Sequence, residues 1–258
     1  MANLLREKIN KNEKILGTFF ELGSMSVVEC LGQTGLDFII IDNEHGPFET
    51  ESTMDYIRAC DNVGLVPLVR VREVSRPAIL KPLDIGAKGL IVPCIETVEQ
   101  AKKVVEYGKF SPIGKRGFCP SRKDYWGYSH PQGQPIEVGM QKENEDTLII
   151  LQCETVGCLE NIETIVSMDG VDGIFIGPFD LSISMGIPGQ FDNPEFLKAV
   201  ERILAACKKY NKISSVFTGR FDDIDKYYKQ GFDIVTYSLD ANILVDGFKN
   251  IVDKAKGE

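Results

Sequence analysis

One pattern recurs at four places in the chain and constrains its fold more than any other feature. A glycine suited to the end of a helix is followed by a short polar step and then by a compact β-rich run. The four stretches are TGLDFIIID, AKGLIVP, DGVDGIFIGP and QGFDIVTYS. Segments with helical spacing, such as TVEQAKKVVEYG, precede these runs. The chain therefore alternates strands with helices.

Eight strands are predicted in this way. They are expected at residues 15–20, 37–41, 66–70, 89–93, 148–153, 173–177, 213–217 and 233–237. Eight strands with intervening helices in 258 residues predict one α/β domain, a (β/α)8 TIM barrel over residues 1–258, with a long loop at about 109–147. An open doubly wound sheet is the alternative, but no G-x-G-x-x-G turn follows the first strand. A loop of this length is more often functional than idle.

Charge and composition exclude several classes of function. The net charge is −9, and no dense Lys/Arg stripe is present, so nucleic acid is not an expected partner. No apolar run has the length of a membrane span or of a signal-peptide core, and we therefore expect a soluble, cytoplasmic protein without a membrane partner. The seven cysteines are scattered and odd in number, which indicates reduced thiols. With only His45 and His130 and no C-x-x-C, a Cys/His zinc site is disfavoured.

Four of the predicted strands are followed by short clusters of residues that could form an active site. Barrel enzymes place their active sites at the C-terminal ends of the strands. The clusters are Asp42, Glu44 and His45 after the second strand, Arg70 and Arg72 after the third, Gln152 and Glu154 after the fifth, and Gly177, Pro178 and Asp180 after the sixth. Together they predict a base, a cation and two separated carboxylates on one rim.

Glu154 and Asp180 belong to neighbouring strands, so their carboxylates can approach each other. Two close carboxylates repel unless a cation lies between them. Mg²⁺ or Mn²⁺ suits such a pair, because these ions accept few protein carboxylates and keep positions for water and substrate oxygens. Alternatively, Asp180 caps a helix and Glu154 pairs with an arginine such as Arg116. For the pair taken together, we favour the metal site.

Arg70 and His45 suggest the rest of the chemistry. A guanidinium at a strand end matches a carboxylate or an enolate, although an ordinary ion pair is the alternative. An imidazole exchanges protons near neutral pH, whereas the alternative is a loop histidine held by Asp42 and Glu44. No strand lysine suggests a Schiff base, and the glycine-rich phosphate loops after strands 7 and 8 are missing. A metal-assisted reaction of a carboxylate-bearing carbonyl compound remains.

Six motifs in order resemble those of the HpcH/HpaI aldolase family, which includes 4-hydroxy-2-oxoheptanedioate and 2-keto-3-deoxyglucarate aldolases. They are FIIIDNEHGPFE, PLVRV, LDIGAKGLIVP, SPIGKRG, LQCETVGCLENI and VDGIFIGPFDLSISMG. The resemblance implies a barrel of the phosphoenolpyruvate/pyruvate type. It also implies a metal-dependent class II aldolase that cleaves a 4-hydroxy-2-oxo acid to pyruvate, or a close 2-oxo acid, and an aldehyde.

The resemblance further assigns the ligands of a divalent ion and the lining of the pyruvate site. Glu154 and Asp180 match the ligands of Mg²⁺ or Mn²⁺, with Co²⁺ as a third candidate. Gln152, Gly177 and Pro178 match the lining of the pyruvate site, which Asp180 also borders.

Catalytic roles are carried over in the same way. Arg70 matches the residue that grips the pyruvate carboxylate and enolate oxygen. His45 matches the base, acting with Asp84 across a subunit interface and with Asp42 in support. The resemblance also implies a homo-oligomer, a hexamer built from dimers with an exchanged C-terminal helix.

Two departures from the family pattern are expected near the entrance for the aldehyde. Phe179 stands where many relatives have alanine, and the segment 116–127 differs from the usual sequence. Two alternatives to the aldolase are a citrate lyase β-like acyl-CoA carbon–carbon lyase and a barrel subunit that has lost catalysis. The second would predict replacement of one of Glu154, Asp180, Arg70 and His45, all of which are present.

Overall fold

The computed structural model describes residues 3–129 and 134–257 and contains a closed barrel of eight parallel strands in chain order. The strands are β1 (Ile15–Phe20), β2 (Phe38–Asp42), β3 (Val66–Arg70), β4 (Gly89–Val92), β5 (Leu148–Cys153), β6 (Gly173–Ile176), β7 (Ile213–Thr218) and β8 (Ile234–Leu239). The last strand pairs with the first and closes the barrel. The predicted (β/α)8 fold is therefore confirmed, with strand ends that agree to within about two residues, the usual uncertainty of such boundaries.

Helices connect the strands. They are α1 (Leu4–Asn10), α2 (Met25–Leu31), α3 (Thr50–Val63), α4 (Arg76–Asp84), α5 (Val98–Gly108), α6 (Ile136–Asp146), α7 (Val156–Glu160), α8 (Ile162–Val166), α9 (Pro178–Ser184), α10 (Pro194–Lys209), α11 (Phe221–Gln230) and α12 (Asp240–Lys256). Within the described residues, no helix is both long enough and apolar enough to cross a membrane.

Local signals in the sequence set the helix ends. Thr97 begins α5 with a capping box, in which its hydroxyl accepts from the Gln100 amide N–H while the Gln100 side chain accepts in return. Gly231 ends α11 in the left-handed region, at a φ of 94°, where a β-carbon would be strained. The strand β8 follows three residues later. The repeated glycine-then-strand pattern is thus a helix stop before a buried strand.

Apolar side chains pack in two layers. One layer lies between the strands and the surrounding helices, and the other fills the barrel interior, where Leu5 of α1 joins it. In the interior, Phe38 lies beside its register partner Gly17 on β1. A β-carbon on Gly17 would lie 2.4 Å from the Phe38 ring, so the glycine makes room for that ring. The barrel is therefore a packed core, and polar chemistry is confined to its ends.

The predicted long loop is only partly irregular. Its second half contains short 3-10 turns over residues 122–127 and the helix α6. Arg122 donates to the Ile85 carbonyl and to Asp61, at the ends of α4 and α3, on the N-terminal side of the barrel. In the single chain, segment 116–127 therefore lies on the opposite side of the barrel from the C-terminal strand ends, where the aldehyde is expected to enter. The expectation that this segment borders the entrance in its own chain is wrong. Residues 130–133 of this loop, with His130, lie outside the described residues.

Candidate active site

Asp42 and Arg70 are the last residues of β2 and β3, and the register pairs them directly. Asp42 is fully buried and accepts two hydrogen bonds from the guanidinium, from Nε at 2.8 Å and from Nη2 at 2.5 Å. Burial opposes ionisation of Asp42, but the hydrogen bonds and charge of Arg70 hold its pKa below the usual value. Because Asp42 occupies one fork of the guanidinium, a substrate oxygen would have to bind the remaining hydrogens on Nη1 and Nη2.

Glu44 and His45 lie on the loop directly after β2. Asp42 holds this loop by accepting from the Glu44 amide N–H at 3.0 Å. The Glu44 carboxylate lies 3.1 Å from Nη1 of Arg70 and 3.9 Å from Nε2 of His45, whose side chain is 70% exposed. The imidazole is therefore an accessible proton acceptor. Among the described residues, only Glu44 pairs with the imidazole ring. Asp42 accepts from the backbone N–H of His45 and does not contact the ring, so it can orient the ring only through the loop backbone.

The barrel-mouth pocket is a cavity of about 120 Å³ at the C-terminal strand ends. Five of its lining residues were predicted from the sequence, namely Arg70, Gln152, Gly177, Pro178 and Asp180. The remaining wall is apolar and consists of Phe19, Phe175, Phe179, Phe217 and Leu239. Phe19 packs against the guanidinium, with its ring centroid 4.6 Å from the central carbon of Arg70.

Glu154 lies beside this pocket and is buried. Its Oε1 accepts from the Cys94 amide N–H at 2.7 Å, and its Oε2 accepts from the Gln152 side-chain amide. A β-carbon on Gly177 would lie 2.8 Å from Oε2, so only glycine leaves this carboxylate its space. Burial raises the pKa of Glu154, and the negative charge of Asp180 raises it further. The two predicted metal ligands are therefore brought close enough to repel each other.

The donor set here fits a hard divalent cation. Among residues 3–129 and 134–257, no group of three or more His, Cys, Asp and Glu side chains could hold a metal ion. Mg²⁺, however, is commonly held by one or two carboxylates together with water and substrate oxygens. Gln152 adds a second observation, because its buried Oε1 has no hydrogen-bond partner in the described part of the chain. A bound ion with its water would both neutralise the repulsion and supply a partner for this oxygen.

Asp84 is not brought to this pocket by its own chain. It is the last residue of α4, on the N-terminal side of the barrel, and accepts from Nη2 of Arg116 at 2.8 Å. Arg116 also lies 4.0 Å from Glu143, and it is therefore not the arginine partner that the alternative suggested for Glu154. A role for Asp84 in the chemistry therefore requires a second copy of the chain.

Four residues at or near the C-terminal ends of the other strands were not predicted from the sequence. Phe19, Phe217 and Leu239 form the apolar wall, and they lie on β1, β7 and β8. Glu21 also follows β1, and burial and the Asp42 charge raise its pKa. The rule that places active sites at strand ends could have found all four, because it applies to every strand. It was applied only to strands that end in a conspicuous polar cluster.

Taken together, these groups can bind and polarise a small oxygen-rich anion. The pocket offers guanidinium hydrogens, the Asp180 carboxylate and an apolar wall of aromatic rings, and the Glu154 carboxylate lies beside it. An exposed imidazole stands beside the Arg70–Glu44 pair. The arrangement is suited to forming an enolate from a bound 2-oxo acid and to moving one proton at its edge.

Comparisons with known proteins place the whole barrel in one family. Residues 16–246 match the family model described as HpcH/HpaI aldolase/citrate lyase. The 2-keto-3-deoxy-L-rhamnonate aldolase of Escherichia coli K12 is 29% identical over 248 residues, which covers 95% of this chain and 90% of the relative. Its counterpart in Salmonella schwarzengrund is 33% identical over 209 residues, or 80% of this chain and 74% of the relative.

Solved structures resemble the whole barrel. The HpcH/HpaI aldolase from Desulfitobacterium hafniense DCB-2 superposes with a TM-score of 0.91 at 26% identity, covering 99% of this chain and 97% of that chain. The citrate synthase SbnG superposes with a TM-score of 0.87 at 26% identity, covering 98% and 97%. One barrel thus supports more than one carbon–carbon bond chemistry, and the details of the site must decide between them.

Proposed function

The chain belongs to the HpcH/HpaI aldolase/citrate lyase family and is a carbon–carbon lyase, and on that premise we propose that it cleaves a 4-hydroxy-2-oxo acid to pyruvate and an aldehyde. The observation that carries the proposal is the size and polarity of the barrel-mouth pocket. A cavity of roughly 150 Å³ holds benzene, which has as many non-hydrogen atoms as pyruvate. The pocket, at about 120 Å³ and open to one side, therefore suits the three-carbon acid.

Binding places the 2-oxo acid against Arg70 and Gln152. The Arg70 hydrogens that Asp42 and Glu44 leave free donate to the substrate oxygens, and the pair with Asp42 fixes the direction of the guanidinium. Gly177 gives the substrate room beside Glu154, where a β-carbon would collide. The rings of Phe19 and Phe217 exclude water from the apolar side.

Glu154 and Asp180 are proposed to hold the divalent ion, Mg²⁺, Mn²⁺ or Co²⁺. When bound, such an ion supplies Lewis-acid polarisation of the 2-oxo group. The protein contributes the position of the two carboxylates, which β5 and the start of α9 fix at neighbouring strand ends.

Cleavage then requires one proton transfer on each side of the broken bond. His45 takes the proton of the 4-hydroxyl group, through water, as the bond between C3 and C4 breaks. The electron pair of that bond becomes the enolate of pyruvate, whose oxygen Arg70 stabilises. The former 4-hydroxyl carbon leaves as the aldehyde, and protonation at C3 completes pyruvate. The Glu44 carboxylate, 3.9 Å from Nε2, lies beside the ring that accepts this proton.

A homo-oligomer is part of the same proposal, with a hexamer as its expected size. The helix α12 buries only Asp240, and it exposes six large apolar side chains, Ile243, Leu244, Val245, Phe248, Ile251 and Val252. A helix face of this kind is stable when another surface covers it. Exchange of α12 between copies would cover it, and the approach of Asp84 of one copy to His45 of another is part of the same proposal.

A panel of 4-hydroxy-2-oxo acids tests the activity, with pyruvate release as the readout. We expect release to stop with EDTA and to return with Mg²⁺, Mn²⁺ or Co²⁺. An acyl-CoA thioester in the same panel tests the lyase alternative, and cleavage of the thioester alone would contradict the aldolase. Light scattering on the eluted peak reports the oligomer, and a monomer at assay concentration would contradict the exchange of α12.

The metal site needs a readout that does not depend on turnover. Mn²⁺ binding, followed by electron paramagnetic resonance, should weaken at least tenfold in Glu154→Gln, because a neutral amide is a poorer ligand for a hard ion. Glu163→Gln is the matched control, since Glu163 pairs with Arg202 on the surface. Equal Mn²⁺ affinity in both variants would remove Glu154 from the metal site.

A further inference from the structure

A second cavity, here called the outer aromatic pocket, lies outside the barrel next to the barrel-mouth pocket. It measures about 240 Å³ and is lined by the rings of Phe179, Phe191, Phe196, Phe217 and Tyr227. These residues come from the start of α9, from the end of β7, from α10 and the loop before it, and from α11. The proposed metal ligands, Glu154 and Asp180, do not line this cavity.

The two cavities share one wall. Pro178, Phe179 and Phe217 line both of them. The Phe179 and Phe217 centroids are 6.1 Å apart, and the Phe179 ring is 51% exposed, so it is not locked into the core. The outer aromatic pocket therefore begins at the same rings that border the barrel-mouth pocket.

Aromatic rings continue from Arg70 into the outer aromatic pocket without interruption. Phe19 lies on the guanidinium, and its centroid is 5.7 Å from that of Phe217. On the far side of the shared wall, Phe179 contacts Phe191 edge to face at 5.1 Å. Aromatic pairs prefer edge-to-face contacts at such distances, so a bound ring could join this row of rings in the same way.

Size and charge define what the outer aromatic pocket could hold. Its volume exceeds the roughly 150 Å³ that accommodates benzene, so a phenyl ring with one or two further atoms fits. The rim carries two cations and two carboxylates, namely Arg220, Lys226, Asp192 and Asp223. The Asp223 carboxylate lies 3.7 Å from Arg220 and 4.0 Å from Lys226, so its negative charge partly neutralises these two cations. An uncharged tail suits this rim better than an anionic one.

We infer that the outer aromatic pocket is the subsite for the tail of the acceptor aldehyde and that it selects an uncharged, aryl-sized tail. The inference rests on the proposed aldol function. In the synthetic direction, C3 of pyruvate loses a proton and bonds to the carbonyl carbon of the aldehyde, whose oxygen gains a proton. The new bond forms in the barrel-mouth pocket, while the aldehyde substituent lies among the outer rings.

Gly219 allows this pocket to be narrowed without touching the catalytic groups. It lines the outer aromatic pocket and not the barrel-mouth pocket, and a β-carbon there would meet no heavy atom within 4 Å. Its φ lies outside the left-handed region, so a side chain is not strained. Gly219→Leu should occupy the space of the tail, and Gly219→Ala is the matched control. Phe191→Ala is the second variant, because Phe191 lines only the outer aromatic pocket.

The assay compares kcat/KM for addition of pyruvate to phenylacetaldehyde and to glycolaldehyde. The ratio of the two values removes the effect of a variant on the pyruvate half of the reaction. We expect the ratio to fall about tenfold in Gly219→Leu and in Phe191→Ala, within the range for loss of an apolar contact, and less than about threefold in Gly219→Ala. Exchange of the pyruvate methyl protons with solvent deuterium should stay within about twofold of wild type.

The outcomes separate this inference from the proposed function. Unchanged ratios in both Gly219→Leu and Phe191→Ala, with turnover of glycolaldehyde and normal proton exchange, would overturn the outer aromatic pocket as the tail subsite. Absence of aldol product with either aldehyde in the wild-type protein would overturn the proposed function first, and the subsite with it.

Discussion

Replacing Asp42 by asparagine should destabilise the protein by about 3 kcal/mol at pH 7. Asp42 is fully buried, and the Arg70 side chain that it neutralises is only 10% exposed. Removing one partner of a buried pair costs roughly 3–5 kcal/mol, because the other charge is left uncompensated. Glu44, at 3.1 Å from Nη1, still offsets part of that charge, which places the loss at the lower end. The amide also turns an N–H donor toward Nη2, where the carboxylate had accepted.

Thermal unfolding, followed by circular dichroism, measures this loss. For a chain of this size, about 3 kcal/mol corresponds to a fall in Tm of roughly 6–12 °C. The matched control is Glu163→Gln, which breaks an equally bidentate pair with Arg202, at 2.8 and 2.7 Å, on the surface. Both of these side chains are 44% exposed, and exposed pairs contribute about 1 kcal/mol or less.

The pH dependence of the difference follows from the lowered pKa of Asp42. A carboxyl group whose folded pKa is depressed stabilises the fold above its unfolded pKa, near 3.8, and loses that contribution as the pH falls through the folded pKa. The part of the gap between wild type and Asp42→Asn that comes from the Asp42 charge should therefore be lost as the pH falls below about pH 4. A Tm change in Asp42→Asn no larger than in Glu163→Gln at pH 7 would refute the reasoning.

Three further outcomes are expected. Arg70→Lys should lower kcat/KM for pyruvate release by at least tenfold, because a point charge cannot hold Asp42 by a fork and still bind substrate oxygens; unchanged kcat and KM would make Arg70 purely structural. His45→Ala should slow cleavage by roughly 10² to 10⁴ and slow pyruvate methyl exchange less, and equal losses would instead make His45 the base for both steps. Iodoacetamide at pH 8 should label the exposed Cys119 before the buried Cys60 and Cys207, because burial raises the pKa of these two thiols to about 12. Labelling is followed by mass spectrometry, and early labelling of Cys60 or Cys207 would contradict their burial.

The residues at the C-terminal strand ends could be placed from the sequence because each signal is local. An apolar run followed by a polar cluster marks where a parallel strand ends, and parallel strands of a barrel end on one face. The barrel prediction is confirmed, and Arg70, Gln152 and Asp180 line one pocket as expected. Their chemical roles stay predictions until the variants are measured.

The pairing of charges depended on register and helix packing, which no local pattern contains. Strand register places Asp42 beside Arg70, so the Nε and Nη2 groups of the guanidinium already donate to Asp42 and are not both free for a substrate. The end of α4 sets Asp84 beside Arg116, on the far side of the barrel from His45.

The sequence by itself determined the eight strands, their order and the rim on which the chemistry lies, because hydrophobic periodicity and glycine stops act over a few residues. Only the tertiary structure decided which aromatic rings form the outer aromatic pocket. Phe179, Phe191, Phe217 and Tyr227 lie far apart in the chain, and each alone has the pattern of an ordinary core or surface residue. They meet because barrel closure brings β6 beside β7 and helix packing brings α10 and α11 over that seam.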